Sequence, residues 1–178
     1  MKAKQILLMA VMLIGFTAMA QQSDTELLET AIQYYEYGEN EKAFEYFQLS
    51  ANEGNVDAQF FLGACYDEAI GVEQDYQQAV KWYRKAAEQG QSHAQASLGL
   101  CYREGQGVYQ SFEQSVYWFI LSAEQGNEYG QLYLGISYAL GEGVDEDENM
   151  AIHWLRKAAD QDNADAIEAL RILDAYED

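Results

Sequence analysis

Four groups of residues in this chain have types and spacings that could carry chemistry. The stretch CYREGQGVYQS, residues 101–111, holds Gly105-Gln106-Gly107, and Gly-x-Gly loops cradle phosphates on backbone N–H groups. Cys65 and Cys101 could form a disulfide, or one could act as a thiolate. His93 and His153 are the two histidines. DEDEN, residues 145–149, has the carboxylate density of a calcium loop.

Each chemical reading meets a missing partner. A phosphate loop follows a strand and opens a helix with a lysine. Gly105–Gly107 follows a helical pattern and has no lysine. An EF-hand-like loop starting at Asp145 would need Gly at its sixth place and Glu at its twelfth. Met150 and Arg156 stand there, so the acids fit a helix N-terminus, where the macrodipole favours them. The histidines are not at equivalent places and form no paired motif. Neither S-x-x-K nor G-x-S-x-G occurs. Adjacent acids such as Asp67-Glu68 point to different sides of a helix. We therefore expect no catalytic residues, no metal site and no cofactor.

The elements that must position these residues are set by an internal repeat. Leu62-Gly63 returns as Leu98-Gly99 and Leu134-Gly135, and Tyr66 as Tyr102 and Tyr138. Gly71-Val72 returns as Gly107-Val108 and Gly143-Val144, and Trp82 as Trp118 and Trp154. The offset is 36 residues throughout, with no insertion. The Gly-x-Gly is therefore a hinge of the repeat. Gly107 is expected to hold a shape that only glycine tolerates, Val108 to tuck into the core, and Ser111 to cap the next helix.

Each unit reads as two helices. Helix A runs over 56–68, with Ala58, Leu62, Cys65 and Tyr66 on one stripe. Asp75, Ser111 and Asp147 stand at the N-caps of successive B helices. Helix B carries Ala79, Trp82, Tyr83 and Ala86 at helical spacing, and Gly54, Gly90 and Gly126 end the B helices. Asp162 replaces that glycine in the last unit, so a looser end is expected there. Mid-helix Gly63, Gly99 and Gly135 each cost about 1 kcal/mol against Ala, and their recurrence predicts close approach of helix A to helix B.

These residues resemble the Sel1-like repeat family, relatives of the tetratricopeptide repeat. Ala58, Leu62, Gly63, Tyr66, Gly71, Val72, Asp75, Ala79, Trp82, Ala86, Ala87 and Gly90 carry its pattern. Ala69, Ser111 and Gly130 depart from it. The resemblance implies an all-α fold, an α/α superhelical solenoid of Sel1-like/TPR-like helix-turn-helix repeats. Its domain spans 21–178, with a TPR-like first unit at 24–55, full repeats at 56–91, 92–127 and 128–163, and a capping helix at 164–178. The resemblance further implies a non-enzymatic scaffold that binds a protein or peptide on the concave face lined by the A helices. Some family members look like periplasmic immunity proteins, and a few cysteine-rich ones have been described as acting on β-lactams. Inhibition of a secreted effector is the alternative function, and cell-wall or β-lactam hydrolysis a third that rests on the resemblance alone.

In that architecture the variable A-helix positions are the candidate contacts. One row holds Asp57, His93 and Tyr129; the next holds Phe60, Ala96 and Leu132; a third holds Ala64, Leu100 and Ile136. Asp67 and Arg103 belong to a rim row, with Ala139. The apolar members form either a groove for an amphipathic or basic segment or packing between repeats. Tyr76, Tyr109, Phe112, Tyr117 and Tyr129 are further contact candidates. Cys65 and Cys101 occupy equivalent places on neighbouring A helices. That spacing, typically about 8–10 Å, is long for a disulfide, although export would permit one.

Lys2 and Lys4, the apolar run 6–16 and Ala18-Met19-Ala20 read as a secretory signal over 1–20, so a periplasmic or secreted protein is expected. Lys2 and Lys4 would leave with it and no acid would, taking the formal charge from −20 to −22. Such a surface disfavours nucleic acid and anionic lipid, and it either favours basic partners or simply keeps the protein soluble. Half the residues are hydrophobic (49%) and proline is absent, which excludes a disordered chain.

Overall fold

The computed structural model describes residues 25–176, so the export segment read at 1–20 lies outside the described residues. Helix α1 covers 25–36. It is followed by α2 (Asn40–Glu53), α3 (Val56–Glu68), α4 (Tyr76–Ala87), α5 (Ser92–Glu104), α6 (Phe112–Glu124), α7 (Glu128–Leu140), α8 (Glu148–Ala159) and α9 (Ala164–Tyr176). No strand occurs among the described residues. The fold is an α/α solenoid in which α1, α3, α5, α7 and α9 are the A helices and α2, α4, α6 and α8 the B helices.

Side chains start the helices where the backbone leaves orphan donors. The Asp75 carboxylate accepts from the N–H groups of Gln77 and Gln78 at 2.9 and 3.0 Å. Ser111 Oγ accepts from Gln114 N–H at 3.2 Å, and Asp147 from Met150 N–H at 3.0 Å. The A helices have caps of their own, Asn55, Gln91, Asn127 and Asn163. Asp162 keeps the backbone shape of the glycines it replaces. It takes the left-handed conformation (φ 64°) and its N–H bonds to Ala159 O at 2.9 Å.

Helices α3, α5 and α7 each pack on the B helix that follows and on the one that precedes, and α9 packs on α8. The mid-helix glycines make the first contact close. A Cβ at Gly63 would lie 2.6 Å from the Tyr83 ring, at Gly99 2.5 Å from Phe119, and at Gly135 2.7 Å from Leu155. Gly107 has two reasons to be glycine. Its φ is +69°, and a Cβ there would collide with the backbone carbonyl of Tyr76, the first residue of the preceding B helix. The hinge of each repeat thus sits on the start of the B helix before it. Val108 packs partly buried against the core cluster of Ala79, Tyr83 and Leu98.

Glutamines tie the two helices of each repeat to one another and to the repeat before. Gln89 donates to Gln59 at 2.7 Å, Gln125 to Gln95 at 2.7 Å and Gln161 to Gln131 at 2.8 Å. Gln59, Gln95 and Gln131 in turn donate to the carbonyls of Ala51, Ala87 and Ala123. A buried amide left unpaired is costly, so this ladder fixes how far each repeat is displaced from the last. Helix α5 also packs on α7, and α7 on α9. The A helices thus form a layer of their own, with contacts from one A helix to the next.

Candidate functional site

The inner row was built from A-helix positions, and the structure divides them. Asp57, His93 and Tyr129 are exposed at the start of α3, α5 and α7. In the second row Ala96 (3% exposed) and Leu132 (1%) are core residues. They offer nothing to a partner, which corrects their assignment to a groove. Phe60 is half-buried, with its ring 6.0 Å from Tyr83 and 5.8 Å from His93. Ala64, Leu100 and Ile136 are half-exposed.

The rim row is engaged within the protein. Asp67 accepts a hydrogen bond from the Tyr83 hydroxyl at 3.0 Å. Burial raises the Asp67 carboxyl above its ordinary range, against the lowering effect of that bond. Burial also raises Tyr83, with the Asp67 charge adding to it. Arg103 Nε lies 2.9 Å from Glu142 Oε2 in the hinge of the next repeat. A ligand would have to break that pair to use Arg103, so Arg103 is a tie between repeats rather than a free contact.

Cys65 and Cys101 are both free thiols, so the disulfide is not formed. They lie in separate core clusters, Cys65 with Phe47 and Leu62, Cys101 with Tyr83 and Leu98. Burial pushes both thiols up to about 12, which keeps them protonated and unreactive at neutral pH. No group of three His, Cys, Asp or Glu among the described residues could hold a metal ion. Tyr109, Tyr117 and Tyr129 are exposed, on a hinge, on α6 and on α7. Tyr76 and Phe112 are half-buried.

Two features of the inner layer escaped the sequence reading. One is the row Phe61, Ser97, Tyr133 and Ala169, which is half-buried beside the Ala64 row. The other is a pair of open crevices between successive A helices. The first, between α1 and α3, is a cavity of about 210 Å³ with Phe47 at its floor. The second, between α7 and α9, is about 520 Å³, with Leu155 at its floor and Ile136, Leu140, Ile172 and Leu173 along its walls. Glu146 and Glu148 line it as well, so the DEDEN run borders an apolar groove.

Phe47 and Leu155 occupy one position of the repeat, and the two units between them carry Tyr83 and Phe119 there. At the central places these rings have partners of their own. Tyr83 is held by Asp67 and approached by Phe60. Phe119 lies under Tyr133, rings stacked at 5.4 Å, beside the tie from Arg103 to Glu142. Open crevices of this kind lie at the α1–α3 and α7–α9 contacts.

The Sel1 repeat model matches residues 29–55, 56–91, 92–127 and 128–163. The crystal structure of c5321, a protective antigen of uropathogenic Escherichia coli displaying an SLR fold, is similar at 38% identity and TM-score 0.78. The similarity covers 86% of this chain and 35% of that one. A Sel1 repeat protein from Oxalobacter formigenes is similar at 32% identity and TM-score 0.69, over 73% of this chain and 52% of the other. This chain therefore spans about a third and about half of the length of these two relatives. Helicobacter pylori cysteine rich protein B shares the fold at 22% identity and TM-score 0.56, over 80% of this chain and 93% of its own. None of the curated proteins compared matches the chain.

Proposed function

Since the chain belongs to the Sel1 repeat family, we propose that it is an interaction scaffold whose partner segment lies along the inner row of its A helices. Sel1 repeat proteins generally mediate protein–protein interaction, and the fold is typically non-enzymatic. One observation carries the finer reading. The half-exposed row Ala64, Leu100 and Ile136 runs from one open crevice to the other. A segment with apolar anchors and basic residues fits apolar walls bordered by Glu146 and Glu148. The export pattern at 1–20 supports work in the periplasm or outside the cell, which cell fractionation would test.

Leu140 (58% exposed) and Ile172 (50%) can be changed without opening the core. Leu140→Asp and Ile172→Asp should each lose partners recovered by affinity purification from the native envelope and mass spectrometry. Tyr117→Asp, on α6, should keep them. If all three variants recover the same partners with unchanged helical circular dichroism, the inner-face reading fails. Inhibition of a basic secreted effector is a second reading, favoured by the formal charge of −20. It requires that co-expression protects cells from such an effector.

A further inference from the structure

The first crevice has a chemistry that the second lacks. Its walls include Tyr35, Phe47, Phe60, Phe61 and Ala64, and Glu68 stands among them as the one charged lining residue. Phe47 and Phe61 stack at 5.1 Å, and Phe60 and Phe61 lie 5.2 Å apart. Glu68 is exposed and has no ion-pair partner among the described residues. The second crevice has aliphatic walls. The next two A helices carry Ala96-Ser97 and Leu132-Tyr133 where α3 carries Phe60-Phe61, so the combination of two phenylalanines and an acid occurs once among the full repeats.

A ligand group for this place must satisfy three conditions. It must be slim enough for about 210 Å³. It must present apolar surface to the aromatic walls, and it must leave Glu68 with a partner once water is displaced. An anion fails on Glu68 and on the formal charge of −20. A leucine or methionine meets the first two conditions and leaves the carboxylate partly desolvated and unpaired. A lysine or arginine meets all three, because its methylene stem packs on apolar surface while its charged end stays at the rim. Aromatic faces attract the same cation. We propose that the crevice between α1 and α3 receives a lysine or arginine side chain of the partner segment. The proposal rests on the inner-face reading and deepens it by naming one anchor.

The test uses the ¹⁵N-labelled full chain at constant ionic strength, with N-acetyl-lysine methylamide as probe. N-acetyl-norleucine methylamide, the same stem without the ammonium, is the comparison. The lysine probe should shift the amide signals of residues around Phe61, Ala64 and Glu68 in a saturable way, and bind about fivefold more tightly than the norleucine probe. Glu68→Gln should bring the two probes to equal affinity, and its position on the surface keeps the fold. Equal binding of both probes to the unaltered protein would overturn the proposal in favour of a plain apolar anchor. No shift with either probe at millimolar concentration would overturn it outright. Neither result touches Leu140 and Ile172 at the other end, so the inner-face reading would stand or fall on its own experiment.

Discussion

Ala69 ends α3 in the left-handed conformation, φ 59°, where Gly105 and Gly141 end α5 and α7. The sequence showed Ala69 as a departure from the repeat, and the structure shows that the backbone did not depart with it. A left-handed residue with a Cβ costs about 1–2 kcal/mol, and glycine gives back part of that in unfolded-state entropy. Ala69→Gly should therefore stabilise the protein by about 0.5–1 kcal/mol, read as a higher denaturant midpoint at unchanged slope. A lower midpoint would mean that the exposed Ala69 methyl makes a contact worth more than the strain. Asp67 makes the opposite case, a residue whose ionisation works against the fold. Burial raises its folded pKa above the unfolded value, so the folded state holds the proton more tightly. Stability from this group is then greatest in acid and falls as pH rises through the interval between the two values. Asp67→Asn keeps an oxygen for the Tyr83 hydroxyl and removes the buried charge. The variant should match or exceed the parent in stability at neutral pH, with its advantage shrinking on acidification. An advantage that grows in acid would refute the assignment.

At the scale of helices, the repeat pattern made α3 to α8 legible because its residues report backbone needs. Asp75, Ser111 and Asp147 are caps because free N–H groups need acceptors, and Gly63, Gly99 and Gly135 are glycines because a ring or a leucine lies against them. The inner surface was less legible. Ala96 and Leu132 share a row with Phe60, and helical periodicity gives a row its direction without saying how deeply the next helix covers it. The crevices were not legible at all, since they depend on how closely two successive A helices approach over the B helix between them. The glutamine ladder had a readable sign, because Gln59, Gln95 and Gln131 recur at the repeat offset, as do Gln89, Gln125 and Gln161. Gly99→Ala tests the close approach of α5 to α6 by its sign. Helix propensity alone favours Ala by about 1 kcal/mol. A Cβ 2.5 Å from the Phe119 ring forces the helices apart, at a cost of about 1–3 kcal/mol. We expect net destabilisation in thermal melts; a stabilised variant would show that the helices have room to spare.

The whole molecule is a stack in which each unit touches its neighbours, so its stability is a sum of unit and interface contributions. Over this stack lies an imbalance of 30 acidic against 10 basic residues. Three ion pairs occur among the described residues, Glu39 with Lys42, Arg103 with Glu142 and Glu168 with Arg171. The first and third are exposed, and exposed pairs contribute about 0–1 kcal/mol each. Repulsion among the excess carboxylates should therefore outweigh attraction. Raising salt from about 0.1 to 1 M shortens the screening length from about 10 to 3 Å, which weakens repulsion along the stack. The melting temperature should rise by about 2–8 °C, the shift that roughly 1–2 kcal/mol gives in a chain of this size. The same screening should weaken a basic partner held at Glu68, Glu146 and Glu148, so salt should stabilise the protein and loosen its complex. A melting temperature that falls with salt would instead make the ion pairs, above all the tie from Arg103 to Glu142, the dominant electrostatic contribution. An affinity that does not change with salt would remove charge from the account of the partner and leave the apolar crevices to carry it.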